Sequence, residues 1–260
     1  MGRRWGDRRL GGAPFLTGDN PVILSTLWEG DLSDPEWETQ FGQEFNNPTY
    51  PNNALAPAGI AGVSPTISAT ATPAIVAGID RRFWFPSMGL DPVPGGVMLE
   101  YDVHFASGHS WGENDGGGKI VGLAGKDLDE TVFDIAWGGS RPGDSWSVRA
   151  AFSKNGQIGA YFYVADPTSP GYPFGQQSQW GGKFRTGWNN VRIAVNPTMG
   201  TMAVGLNGEW DVSFDGLTFT TPLVPATMVA LNWGYGGVLA DGPATDQTVH
   251  FANFRLLAIS

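Results

Sequence analysis

The chain has 260 residues, 41% of them apolar, with 38 glycines and no cysteine, which excludes a disordered chain, a disulfide framework and thiolate chemistry. Its formal net charge of −10 becomes −13 once residues 1–10, with four Arg and one Asp, are set aside. Such a body repels polyanions at long range, which argues against nucleic acid as a partner and demands a locally basic cleft for any acidic ligand.

Residues 1–20 read as a basic, Gly-rich N-terminal arm ahead of a domain over residues 21–260. Its arginines suit an acidic surface, including that of a like subunit in a larger assembly. No apolar run follows the Arg3-Arg4 and Arg8-Arg9 pairs, so a secretory signal is not expected. No stretch approaches the ~18 apolar residues of a membrane-spanning helix, so no membrane partner is expected. Ser33-Asp34-Pro35-Glu36 sets a capping residue before a Pro and predicts a short helix over Pro35–Phe41. Residues 45–75, rich in Asn, Pro, Ala and Thr, predict long surface loops with edge strands.

From Arg82 onward the alternation is clearer. Val97, Leu99, Tyr101, Val103 and Phe105 share one face of a strand, and Glu100, Asp102 and His104 share the other. Val191, Ile193 and Val195 repeat the pattern, as do Met202, Val204 and Leu206 before an Asn207-Gly208 turn. Thr227, Val229, Leu231 and Trp233 mark a further strand, and Thr248–Leu257 closes the chain. Half-buried strands at this spacing predict an all-β fold, a two-sheet antiparallel β-sandwich or jelly roll.

The stretch from Gly116 to Tyr163 carries the chemistry. Gly117 and Gly118, which let a backbone approach a ligand closely, lead into Lys119 and an apolar strand. Further on, Ser145–Ser153 and Gln157–Val164 flank Lys154-Asn155-Gly156 as a hairpin. A two-residue loop would pair Arg149 with Phe162 and mix polar with apolar residues on both faces. A three-residue loop, with Gly156 left-handed, pairs Arg149 with Tyr161 and Ser147 with Tyr163. That register gathers Trp146, Val148, Ala150, Phe152, Ile158, Ala160, Phe162 and Val164 on one apolar face, so burial selects it. The opposite face shows Ser147, Arg149, Tyr161 and Tyr163. It reads either as an ordinary polar outer face or as a site for an anionic polyhydroxy ligand, with Arg forking onto a carboxylate and Tyr stacking on sugar or exchanging a proton.

Gly117-Gly118-Lys119-Ile120-Val121-Gly122-Leu123 resembles the Gly-Gly-Lys-Leu-Pro-Gly-Leu signature of polysaccharide lyase families 14 and 20, the alginate and glucuronan lyases. In those families a Ser-x-Arg strand and a Tyr-x-Tyr strand follow in order, as Ser147-Val148-Arg149 and Tyr161-Phe162-Tyr163 do here. Leu99–Phe105, the Asn207-Gly208 turn, Gly236-Gly237 and Phe251-Ala252-Asn253-Phe254 extend the likeness over about Arg82–Leu257. The chain departs from the pattern in having Val121 where the families have Pro, and Leu231-Asn232-Trp233 where they tend to be Phe-rich.

The resemblance implies a jelly roll that cuts an acidic, uronate-containing glycan by β-elimination, without a cofactor or metal. It implies that Lys119 and Arg149 hold the uronate carboxylate, that Tyr161 and Tyr163 serve as base and acid, and that Ser147 orients substrate. His109, beside Trp111 and just before the motif, is a further expected cleft residue, whereas His104 is read as solvated. The three His residues show no metal-ligand spacing, and no Ca²⁺ loop is present. A competing reading keeps the jelly roll but makes it a non-catalytic glycan binder or a structural virion-surface subunit.

Overall fold

The computed structural model describes residues 21–30, 44–46, 55–56, 66–73, 77–112, 117–126, 145–166, 169–176, 180–235 and 242–260. The arm at 1–20, the helix expected over Pro35–Phe41 and the Gly236-Gly237 pair lie outside them. Within the described residues the fold is all-β, apart from a single 3₁₀ turn at Pro86–Met88.

Two antiparallel sheets face each other. The first contains, in spatial order, β14 (Glu209–Phe214), β13 (Thr201–Leu206), β12 (Gly187–Asn196), β6 (Gly96–Phe105), β16 (Gln247–Ile259), β4 (Thr66–Ala71) and β3 (Leu55–Ala56). β1 (Ile23–Glu29) joins the far half of β16. The second contains β10 (Ser169–Gln176), β9 (Gln157–Asp166), β8 (Ser145–Ser153), β7 (Gly117–Lys126), β15 (Met228–Tyr235), β5 (Ala77–Trp84) and β2 (Glu44–Asn46), with β11 (Trp180–Lys183) paired to β9. β2 and β3 close the two sheet ends, where the loop-rich segment predicted edge strands.

The core fills the space between the sheets from alternate residues of both. In β6 the predicted inner set, Val97 to Phe105, is buried, and Glu100, Asp102 and His104 point outward half-buried. In the second sheet Trp146, Val148, Phe152, Ile158 and Phe162 face the same core. Trp146 also donates its indole N–H to the carbonyl of Val224 at 2.8 Å, so one of the two largest buried side chains has its polar atom satisfied. The Asn207-Gly208 turn has positive φ at both residues (53° and 98°), the twist a two-residue hairpin needs between β13 and β14.

One irregularity decides where the site lies. Lys119 pairs with Ala151 and Gly122 with Arg149, so Ile120 and Val121 together oppose Ala150. This β-bulge sends both Ile120 and Val121 into the core and returns Gly122 to the face that carries Lys119. Strict alternation would have turned Val121 and Leu123 onto that polar face. Tyr101, reaching across from β6, donates its hydroxyl to the carbonyl of Val121 at 3.2 Å.

Candidate active site

β8 and β9 adopt the three-residue hairpin register. Arg149 opposes Tyr161 and Ser147 opposes Tyr163, while Gly156 sits at φ 71° in the turn. Because the apolar set is buried on the inner face, these four residues share the outer face of the second sheet. Lys119 joins them from the neighbouring strand.

The geometry is tight. The Lys119 Nζ lies 4.6 Å from the centroid of the Tyr161 ring, and the Arg149 guanidinium carbon lies 5.3 Å from it. Both cations therefore reach one aromatic ring. The hydroxyls of Tyr161 and Tyr163 are 2.6 Å apart, with their rings edge to face. Two phenols in direct O–H···O contact can hold a proton on either oxygen and pass it between them.

The face is less open than a solvent-exposed polar surface would be. Ser147, Arg149 and Tyr163 are buried, and only Lys119 and Tyr161 are half-buried. The side chains pack on one another, and the stem of Arg149 lies flat over Gly122: a Cβ there would meet its Cγ at 2.6 Å and its Cα at 2.7 Å.

The two leading glycines have packing reasons. Gly117 has φ 106°, and a side chain on Gly118 would collide with the Gly234 carbonyl and, at 2.5 Å, with the Phe152 ring. The close approach they permit is between strands. Gly117 also donates its N–H to the Trp111 carbonyl at 2.9 Å, which ties the preceding loop to the start of β7.

His109 is placed apart from the cluster. Its ring packs on Phe105 (4.7 Å between centroids), Trp111 (4.8 Å) and Trp233 (6.4 Å), at one end of the core. The Tyr235 hydroxyl, which donates to the Ser110 carbonyl at 2.6 Å, makes a long 3.5 Å contact with its Nε2. Burial lowers the His109 pKa to about 4 and raises that of Tyr235. His104 lies on the outer face of the other sheet, edge-on to Trp188 and 6.0 Å from His250, half-buried rather than solvated.

Sequence reasoning did not assign the rest of the face. By strand register, Arg82 of β5 and Lys126 of β7 share it, so four cations gather on one side of a chain whose net charge is −10. Trp84, Ala124, Met228 and Ala230 form a small apolar cluster on this face, separate from the core. Among the described residues no three His, Asp or Glu side chains gather as a metal-ligand set.

Three solved structures share this architecture. A marine alginate lyase from Aplysia kurodai superposes with TM-score 0.72 at 18% identity, covering 90% of this chain and 99% of that one. An alginate lyase from a Chlorella virus gives 0.65 at 16% identity, covering 91% and 100%. An endo-β-1,4-glucuronan lyase from the fungus Trichoderma reesei gives 0.56 at 8% identity, covering 83% and 87%. At these identities the likeness is one of fold. No curated protein matches the sequence. The sequence model of polysaccharide lyase 14, however, matches residues 82–254, a span that runs from β5 through the whole cation and tyrosine cluster to β16, and the chain accordingly belongs to that family of polysaccharide lyases.

Proposed function

We propose that the chain cleaves a polymer of uronic acids by β-elimination at the Lys119, Arg149, Tyr161 and Tyr163 cluster. The observation that carries this reading is the grouping of two cations over one tyrosine whose hydroxyl is 2.6 Å from a second phenol. Elimination from a uronate needs the carboxylate neutralised, the C5 proton removed and the 4-oxygen protonated as it leaves. Lys119 and Arg149 hold the carboxylate and stabilise the enolate-like charge that develops beside it. One tyrosine, as phenolate, takes the C5 proton; the electron pair forms the C4–C5 double bond and the C4–O4 bond breaks. The second tyrosine gives its proton to O4. Afterward the proton returns from one phenol to the other across their hydrogen bond, which resets the pair. Ser147, beside Tyr163 in the register, orients the sugar.

The structural neighbours whose names specify alginate or glucuronan, both uronate polymers, support the substrate class. The test is ultraviolet absorbance from new unsaturated uronate ends, screened over alginate, glucuronan and related uronans. Tyr161→Phe and Tyr163→Phe should each lower turnover by roughly 10²-fold while glycan affinity stays close to that of the parent protein, because proton transfer belongs to the transition state. A protein that binds uronans but makes no unsaturated product from any of them would be a glycan binder, and the elimination reading would be abandoned.

A further inference from the structure

We propose that Trp180 and Lys183 of β11 form a sugar-binding subsite at the edge of the second sheet, which holds an uncleaved uronate of the polymer beside the candidate active site. The inference rests on the elimination reading and extends it past β9 to the strand that follows.

The strand register sets both residues on the face that carries the cluster. Trp180 pairs with Gly159 and Lys183 with Gln157. Gln157 and Gly159 alternate with the core residues Ile158 and Ala160, so they lie on the outer face in line with Tyr161. Directly opposed residues of an antiparallel pair project to one face, and Trp180 and Lys183 therefore project there too. The irregular register between them, three steps along β11 against two along β9, is what lets both do so. Trp180 is thereby the diagonal neighbour of Tyr161, about 7–8 Å away between backbones.

Unlike the cluster, this edge faces water. Trp180 is 38% exposed, the one exposed tryptophan among the described residues, and Lys183 is exposed as well. Neither side chain has a hydrogen bond, ion pair or ring contact among the described residues. The strand that carries them is nonetheless fixed. Gly182 donates its N–H to the Asp211 carboxylate of β14 at 2.6 Å, and Gly181 lies so close to Asp211 that a Cβ there would strike its side chain. Just past the strand, Phe184 is buried in the core and donates its N–H to the Gly156 carbonyl at 2.9 Å. A side chain on an anchored strand gives up little freedom when a ligand arrives.

The two side chains match the two sides of a uronate. A pyranose ring is apolar on its C–H face, which suits a flat indole. Its carboxylate stands at the ring edge, within the range of an ammonium on a flexible stem. A uronate held at the cluster for cleavage then has a neighbouring residue of its own chain against β11.

The test compares a polyuronate with the shortest oligouronate that the parent protein cleaves, following unsaturated ends in initial-rate assays. In Trp180→Ala the ratio of kcat/KM for polymer to that for the short oligomer should fall about tenfold, mostly through KM, since a tryptophan contact commonly dominates a binding surface. Lys183→Gln should lower the ratio about threefold, in keeping with an exposed charge pair, and Lys183→Arg should keep it. An unchanged ratio in Trp180→Ala and Lys183→Gln would overturn the subsite, as would an equal loss on both substrates. Should Trp180→Ala fail to fold, Lys183→Glu decides, and a ratio equal to the parent's overturns the proposal. A protein contact at this edge would show itself as a change of molar mass in light scattering with the ratio unchanged, and would overturn it too. Absence of product from the parent protein on every uronan would instead sink the elimination reading. Calorimetric titration of the uncut polymer then tests the subsite by itself: weaker binding by Trp180→Ala upholds it and equal binding overturns it, so the two failures are separable.

Discussion

Tyr101 and Val121 join the two sheets at the bulge that precedes Gly122 in the candidate site: a core phenol on β6 donates to the carbonyl of a bulge residue on β7. Tyr101 is fully buried, which raises its pKa and keeps it a neutral donor. Tyr101→Phe removes the donor and leaves a buried carbonyl with one partner fewer. We expect a loss of about 1–2 kcal/mol, read as a lower urea midpoint with an unchanged slope. Since the bulge aims Lys119, turnover on uronans should fall as well. Equal stability in the variant would show that the bulge is held by the strand ladder alone.

Gly122 makes a second testable contact. Any side chain there presses on the Val148 carbonyl and on the Arg149 stem, and backbone cannot yield as the end of a flexible side chain can. Gly122→Ala should cost about 2 kcal/mol by overpacking and push Arg149 off its position over the sheet. A misplacement near 1 Å should cost on the order of 10² in turnover, with product formation on a uronan as the readout. Retained activity would mean that Arg149 is not needed where the structure has it.

Much of this arrangement was legible in the sequence. The hairpin register followed from burial, since only one loop length puts Trp146, Phe152 and Phe162 on one side. The Lys-Arg-Tyr-Tyr face came with it. The bulge was not legible, because Ile120-Val121 reads as ordinary strand and only the lone glycine three residues after Lys119 hints at a change of phase. Arg82 and Trp84 were equally hidden: β5 reaches the site by pairing with β15, more than a hundred residues later, and local pattern says nothing of such pairing. His109 was drawn toward the cleft by its place in the chain, yet the surrounding aromatics claim it for the core end. The face is more closed than an ordinary polar outer face, with Ser147, Arg149 and Tyr163 buried, because cations and phenols pack on one another.

The half-buried histidines predict a dependence of stability on pH. His109, His104 and His250 all have pKa values lowered by burial, and for His250 repulsion from His104 adds to this. Groups near His104 and His250 are Asp102 on β6, Trp188 and Asn190 on β12, and Ser68 on β4, which hydrogen-bonds His250 at 2.7 Å. A lowered folded-state pKa means that the unfolded chain binds protons first. Stability is therefore intact above about pH 6.5 and declines as pH falls toward about 4, where His109 titrates in the folded state. The His109 share is on the order of 2–3 kcal/mol. In His109→Gln the slope of urea-unfolding free energy against pH should flatten in that window. A slope identical to that of the parent would assign the acid sensitivity to other groups.

The last prediction concerns salt, and it follows from two charges of opposite sign acting at different ranges. The body of the protein repels a polyuronate, while Lys119, Arg149, Arg82 and Lys126 attract it within one sheet face. At roughly 10 mM salt the screening length is about 30 Å, so a polymer feels the whole molecule and its negative charge. At about 0.15 M it is near 8 Å, and the local cations dominate. Raising salt over this range should lower KM for a polymeric uronan. Toward 1 M, where screening reaches about 3 Å, the local attraction is damped in turn and KM should climb again. Arg149→Ala should raise KM throughout and make the high-salt limb shallower, because one of the cations responsible for it is gone. Tyr161→Phe, which removes none of these cations, should keep the shape of the curve. A KM that rises steadily from the lowest salt would mean that the polymer meets an attractive long-range field, and the division between a repelling body and a basic face would have to be given up.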